Sequence, residues 1–230
     1  MRKRLLIISF VALFSVGGMA QSKEVRYGLK LGPTFDWASP GSTAASNNGM
    51  RMGFNVGLVA DFKLSEHLAV TSGVNLDLLR FKYTFTDYRY VTDFLEKTDI
   101  SVSRRVKATN IEVPLMAKVS FDVFDSFKAY VMAGGGLSFN LKDLCKDEFA
   151  FYWVSYTGQS YEDYTHQYRL LQASMVFGLG GEYEINNKFS LFAQLTFDHS
   201  FSNAFVSSLE KQTKSIINNN FIGIEVGVMH

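Results

Sequence analysis

The sequence predicts an all-β protein: an eight-stranded antiparallel up-and-down transmembrane β-barrel, preceded by a cleaved signal peptide. Three observations predict it. Apolar and polar residues alternate in about eight separate stretches, the connections between stretches are alternately short and long, and the polar positions are rich in glycine. Composition agrees. Of 230 residues, 47% are apolar and 20% charged, which suits elements with one greasy and one polar face. A net charge of +1 excludes a polybasic nucleic-acid binder, and no nucleic-acid partner is expected. Aromatic residues are abundant, with 21 Phe and 11 Tyr, and only 3 prolines interrupt the chain.

Taken in order, the first element is the export signal. Arg2, Lys3 and Arg4 form a positive start, Leu5 to Val16 is an apolar run, and Gly18-Met19-Ala20 places small residues where a signal peptidase reads. Cleavage is predicted before Gln21, dividing the chain into a signal peptide (1–20) and a barrel domain (21–230). The apolar run falls short of the roughly 20 residues that a spanning helix needs. With 1 cysteine, Cys145, no internal disulfide forms.

The strands follow. Tyr27, Leu29, Leu31 and Phe35 alternate with Arg26, Gly28, Lys30, Thr34 and Asp36. Phe54, Val56, Leu58, Ala60 and Phe62 oppose Gly53, Asn55, Gly57, Asp61 and Lys63; Leu68, Val70, Val74, Leu76 and Leu78 oppose Ala69, Thr71, Gly73, Asn75 and Asp77. Ile111 to Phe121 alternates with Asn110, Glu112, Met116, Lys118, Ser120 and Asp122, and Ala129 to Leu141 with Lys128 through Lys142. The last three stretches are Leu171 to Tyr183, Phe189 to Phe201 and Phe221 to Val228; Phe192 is an exception on the polar side of the second. Short turns fall at Leu64-Ser65-Glu66, Val123 to Ser126 and Asn186-Asn187. Long segments fall at Trp37 to Met50, Thr86 to Arg104, Asp143 to Gln167 and Asn203 to Asn219. Short periplasmic turns alternating with long outer loops are the asymmetry of a Gram-negative outer-membrane barrel.

Glycine decides which face meets lipid. Gly28, Gly53, Gly57, Gly73, Gly134, Gly136, Gly178, Gly180, Gly223 and Gly227 share the face that carries the charges. Glycine weakens a water-exposed strand, whereas inside a narrow barrel it leaves room for long side chains. The charged face is therefore expected inside, with Arg26, Lys30, Lys118 and Lys128 set against Asp61, Asp77, Glu112, Glu182 and Glu225. A soluble, lipocalin-like periplasmic barrel would invert this arrangement.

With the strands placed, the chain resembles the PorT-like family of outer-membrane β-barrel proteins. The resemblance rests on Gly28-Leu29-Lys30-Leu31-Gly32, Gly53 to Val59, Asn110 to Lys118 around Val113-Pro114-Leu115, Ala129-Tyr130-Val131 with Gly134, Gly178-Leu179-Gly180 with Glu182-Tyr183, and the closing strand. It implies a barrel over the whole mature chain, a bulge tolerating Pro114, and an association with secretion or the cell surface. Expected partners are outer-membrane lipid, the barrel assembly machinery for insertion, and a protein at the cell surface.

Chemistry-bearing patterns are sparse. His67, His166, His199 and His230 lack metal-ligand spacing, and no cofactor fingerprint is present, so neither metal nor cofactor is expected. Asp198-His199-Ser200-Phe201-Ser202-Asn203 faintly resembles the His/Ser strand of outer-membrane lipid A deacylases. Ser200, however, is one step from His199 and Ser202 is three, so strand geometry turns both away from it, and no catalytic residue is assigned. The candidate recognition surface is the segment after Asp143, where Phe151, Tyr152, Trp153, Tyr156 and Tyr161 are interleaved with acids. The same segment also reads as a hairpin extending the barrel. The predicted function is that of a small non-enzymatic outer-membrane barrel with a structural, secretion-associated or surface-interaction role.

Overall fold

A computed structural model describes residues 24–41, 45–87, 100–150, 159–160, 168–186, 188–205 and 216–230. The signal-peptide residues lie outside this set. The described strands are β1 (Val25–Pro40), β2 (Ala45–Asn47), β3 (Arg51–Lys63), β4 (Leu68–Asp87), β5 (Ile100–Phe124), β6 (Phe127–Ala150), β7 (Gln159–Ser160), β8 (Leu171–Glu184), β9 (Ser190–Ser200) and β10 (Ile217–Met229). Eight of them close a ring by antiparallel pairing in the order β1, β3, β4, β5, β6, β8, β9, β10 and back to β1. Each joins its neighbour in sequence, which is the up-and-down topology. β2 and β7 are short additions on β4 and β6. Closure removes the edge strands that hydrocarbon cannot tolerate.

The ladder is not uniform: its register shifts at the β5–β6 turn between Asp122 and Phe124, and two further departures bear on the sequence reading. Expected at a bulge, Pro114 instead sits in unbroken register, opposite Gly136 of β6. Its missing N–H is accommodated by a local gap in the β4–β5 ladder, between Ser72↔Leu115 and Asn75↔Glu112. Ser72 Oγ donates to the Pro114 carbonyl at 2.8 Å, satisfying one group freed by that gap. A bulge does lie at Leu141, where Asn110 pairs with Asn140 but Thr109 pairs with Lys142. It carries Lys142 to the outside and turns Asp143, Cys145 and Asp147 inward.

The exterior is aliphatic. Leu29, Leu115 and Leu179 are 63%, 64% and 58% exposed, while Lys30, Glu112 and Lys118 on the alternate positions are buried. An apolar surface running around the whole wall is incompatible with water, so the lipocalin-like arrangement is excluded. Aromatic residues bound the band: Tyr27, Phe121, Tyr183 and Phe189 towards the short turns, Phe35, Trp37, Phe197 and Phe201 towards the long connections. Tyr27 and Trp37 are ten residues apart on β1. At about 3.3 Å per residue and about 40° of tilt, that is roughly 25 Å of height, the thickness of an outer-membrane apolar belt. Phe192, the exception to alternation, points inward, where a Cβ on Gly227 would fall 2.4 Å from its ring; the missing side chain makes its space.

Beyond this belt the pattern inverts. On β4 the inward positions change from Thr71, Asn75 and Asp77 to Leu79, Phe81, Tyr83 and Phe85, while the outward ones change from Leu76 and Leu78 to Arg80 and Lys82. Here β4, β5 and β6 leave the membrane level and continue as a three-stranded extension with its own apolar interior. The segments Thr86 to Arg104 and Asp143 to Gln167, expected as loops, are therefore partly strand: β4 runs to Asp87, β5 starts at Ile100 and β6 reaches Ala150. Asp147 and Glu148 pair with Ser160 and Gln159, so the hairpin reading of the second segment holds over the described residues. Trp37 to Met50 likewise contains the end of β1 and all of β2, and β10 starts at Ile217.

Candidate functional site

Two enclosed regions follow from this architecture, a polar lumen at membrane level and an apolar cap above it. In the lumen, Lys30 Nζ lies 3.0 Å from Glu225 Oε1, and Thr196 Oγ1 donates to Glu225 Oε2 at 3.0 Å. Lys118 reaches Asp61 at 2.6 Å and Glu182 at 3.4 Å, with its ammonium 4.2 Å from the Tyr130 ring centroid. Arg26 bridges Glu182 and Ser190 near the short-turn end. Lys128, expected inside, instead pairs with Glu184 at the turn and is about one-third exposed (34%).

Asp77, Glu112 and Asp198 have no lysine or arginine partner among the described residues. Asn55 donates to Asp77, Asn75 donates to Glu112 at 3.0 Å, and Ser174 donates to Asp198 at 2.7 Å. The charge pairing anticipated for Asp77 and Glu112 is thus replaced by amide and hydroxyl donors. The cavity between these groups, lined by Lys30, Asp61, Asn75, Lys118, Tyr130 and Gln194, measures ≈ 20 Å³. That is room for about one water. Among the described residues, side chains fill the lumen at this level and tie the wall together.

The cap is built on the extension. Arg104 is 2% exposed, and its Nε and Nη2 donate to the two carboxylate oxygens of Asp147, both at 2.6 Å. Its guanidinium carbon lies 5.2 Å from the Phe85 ring centroid. Burial opposes the charge on Arg104, but the bonds to Asp147 outweigh it and hold the pKa above its ordinary value. Tyr83, Phe85, Val102, Val106 and Cys145 surround the pair, and burial pushes the Cys145 thiol up to about 12. From the opposite side of the ring, Tyr168 and Phe205 join edge to face at 5.8 Å, and Phe205 also lies 5.7 Å from Tyr83. Alternation of Phe81-Tyr83-Phe85 and Val102-Arg104-Val106 is the signal that marks these residues, once apolar is allowed to mean inward.

The predicted surface residues Phe151, Tyr152, Trp153, Tyr156 and Tyr161 lie outside the described residues. In sequence they follow β6 and flank β7, whose Gln159 and Ser160 pair with Glu148 and Asp147 of the extension. The histidine motif is not assembled as a catalytic pair. His199 faces outward between Phe197 and Phe201, with Nδ1 2.8 Å from Asn220 Oδ1. Ser200 is buried on the inner face and donates to the Ser202 carbonyl, while the Ser202 hydroxyl accepts from Ala173 N. Among the described residues no cluster of His, Cys, Asp and Glu is arranged to hold a metal ion.

The family model described as outer membrane protein beta-barrel domain matches residues 19–206. No curated protein matches the chain. Among solved structures, the outer membrane protease OmpT of Escherichia coli is similar at a TM-score of 0.54 and 8% identity, covering 92% of this chain and 99% of that one. Neisserial surface protein A matches with a TM-score of 0.42 and 13% identity, over 88% and 95% of the two chains. The N-terminal β-barrel domain of Pseudomonas aeruginosa OprF gives a TM-score of 0.40 and 11% identity, over 91% and 100%. At such identities the OmpT likeness speaks for the barrel fold alone.

Proposed function

The chain belongs to the outer membrane protein β-barrel domain family and resides in the outer membrane, and from that premise we propose that it is a non-enzymatic, PorT-like surface platform. Residues 1–20 are its signal peptide and 21–230 its barrel, inserted by the barrel assembly machinery. Its task is to hold the segment around Phe151, Tyr152, Trp153, Tyr156 and Tyr161 outside the cell for a protein partner, in a secretion-associated or adhesive assembly.

The observation that carries this reading is the extension itself. A barrel that only had to seal its wall has no need of a second buried core above the hydrocarbon, and a buried ion pair is costly to build. Packing Arg104 and Asp147 among Phe81, Tyr83 and Phe85 stiffens β4, β5 and β6 and thereby fixes the strands that emerge into the aromatic segment. The closed lumen argues against transport as the task. Ser200, buried on the inner face while His199 faces outward and engages Asn220, is no nucleophile for that histidine, which argues against a lipid A deacylase-like hydrolase.

The test is site-specific photo-crosslinking from Trp153 and Tyr156 in intact cells. Adducts at the cell surface are expected, and they should vanish when 151–158 are replaced by a Gly/Ser linker in a barrel that still shows heat-modifiable mobility. Inaccessibility of these positions to an impermeant label added outside the cell refutes the proposal.

A further inference from the structure

The outward face of the extension carries a second, independent feature. Three cross-strand pairs on it are like-charged: Arg80 opposite Lys107, Lys82 opposite Arg105, and Arg105 opposite Lys146. Lys142 stands one row below, beside Thr109. Like charges directly opposite each other in a sheet are destabilising. Glu148 relieves part of this repulsion, lying 2.8 Å from Arg105 and 3.5 Å from Lys82. Arg80, Lys107 and Lys142 are exposed and have no carboxylate partner among the described residues.

Height gives the second half of the argument. The last aliphatic row of the wall is Leu76 and Ile111, capped by Leu78. Arg80 and Lys82 follow two and four residues beyond Leu78 on the same face, roughly 7 and 13 Å further along the strand. With the strand tilt, that is the layer about 5–10 Å deep in which lipid head groups lie. Elsewhere the described rim at this level carries the aromatic rings of Trp37, Phe197, His199 and Phe201. Arg80, Lys82, Arg105 and Lys107 therefore cluster on adjoining strands of one sheet, at the depth where a membrane displays its phosphates.

We propose that this face binds the phosphate-bearing head groups of outer-leaflet lipid, with Arg80, Lys107 and Lys142 as the principal contacts. Phosphate oxygens placed between Arg80 and Lys107 would convert a repulsive pair into two attractive ones. A soluble anionic partner is the weaker reading, because it would have to displace lipid from the layer the side chains occupy.

The experiment uses the full barrel, purified in a neutral detergent and titrated with a phosphorylated outer-leaflet glycolipid, the same lipid after phosphatase treatment, and inorganic phosphate, with retention read by native mass spectrometry. The phosphorylated lipid should be retained and the dephosphorylated form lost. Millimolar phosphate should not compete, since without an acyl anchor it gains little from scattered cations. The triple variant Arg80→Gln/Lys107→Gln/Lys142→Gln should weaken retention about tenfold or more, whereas Lys63→Gln/Lys188→Gln at the short-turn end should not. Heat-modifiable mobility checks that each variant is folded. Equal retention of the dephosphorylated lipid, competition by free phosphate, or an unchanged triple variant overturns the proposal. These outcomes do not depend on residues 151–158, so they leave the platform reading to its own test.

Discussion

The substitution Asp147→Asn probes the cap directly. It keeps the side-chain shape but removes the charge and turns one acceptor into a donor facing the Arg104 guanidinium. Arg104 is 2% exposed and uses both Nε and Nη2 on this carboxylate. Removing the charge of one partner of a buried pair costs about 3–5 kcal/mol. The extension stands clear of the apolar belt, so the loss falls on its local opening rather than on the barrel. Three kcal/mol corresponds to more than a hundredfold (about 150-fold) in an opening equilibrium. Amide hydrogen exchange in detergent or nanodiscs should therefore accelerate by that order across Val102–Val106 and Leu144–Asp147, with Leu171–Glu184 of the wall unchanged. The double variant Arg104→Met/Asp147→Leu supplies the control, because apolar replacement of both partners is commonly neutral or better. Should the single variant exchange within about fivefold of the parent, or should the double variant be as loose as the single, the argument that this pair organises the extension is wrong.

Three further outcomes follow from the lumen and the wall. Lys118→Met leaves Asp61 and Glu182 facing each other without their shared cation and should destabilise the barrel by about 3–5 kcal/mol, read as a fall in the urea midpoint of the folded gel band; an unchanged midpoint refutes the ion-pair assignment. A Cβ at Gly32 would lie 1.9 Å from the Ile224 carbonyl oxygen, so Gly32→Ala must part β1 from β10, whereas at Gly223 the nearest atom is 3.6 Å away and Gly223→Ala should fold normally. Equal folding yields would contradict the close approach. Finally, with its thiol raised to about 12, Cys145 is roughly one part in ten thousand thiolate at pH 8, so maleimide should label it only after unfolding in denaturant; prompt labelling of the folded barrel would show the cap to be open.

Much of the wall was legible because lipid outside and a packed polar interior impose opposite demands on successive residues. Ile222, Ile224 and Val226 against Glu225, or Leu29 and Leu31 against Lys30, leave one arrangement open once a membrane is the solvent. The extension was harder to see for a physical reason. Above Leu78 the outside becomes water, so the same alternation continues with its polarity exchanged, and Arg80, Lys82, Arg105 and Lys107 fall outside the stretches that an apolar-outward pattern marks. The bulge at Leu141 adds a one-residue shift of frame on β6, which set Lys142 on the wrong face. The Arg104–Asp147 bond spans 43 residues and depends on a register that alternation alone does not number. The bulge at Pro114 is what the family resemblance implies, and a missing N–H fits one. A ladder gap facing β4 excuses it as well, and sequence does not distinguish the two.

The unequal length of the strands has a geometric consequence. From Ile111 to Ile100, β5 rises eleven residues past the apolar belt, about 35 Å along the strand and some 25 Å in height once tilted. The described end of β5 thus stands well clear of the hydrocarbon, and a label attached near Ile100 is reached from outside the cell without entering lipid.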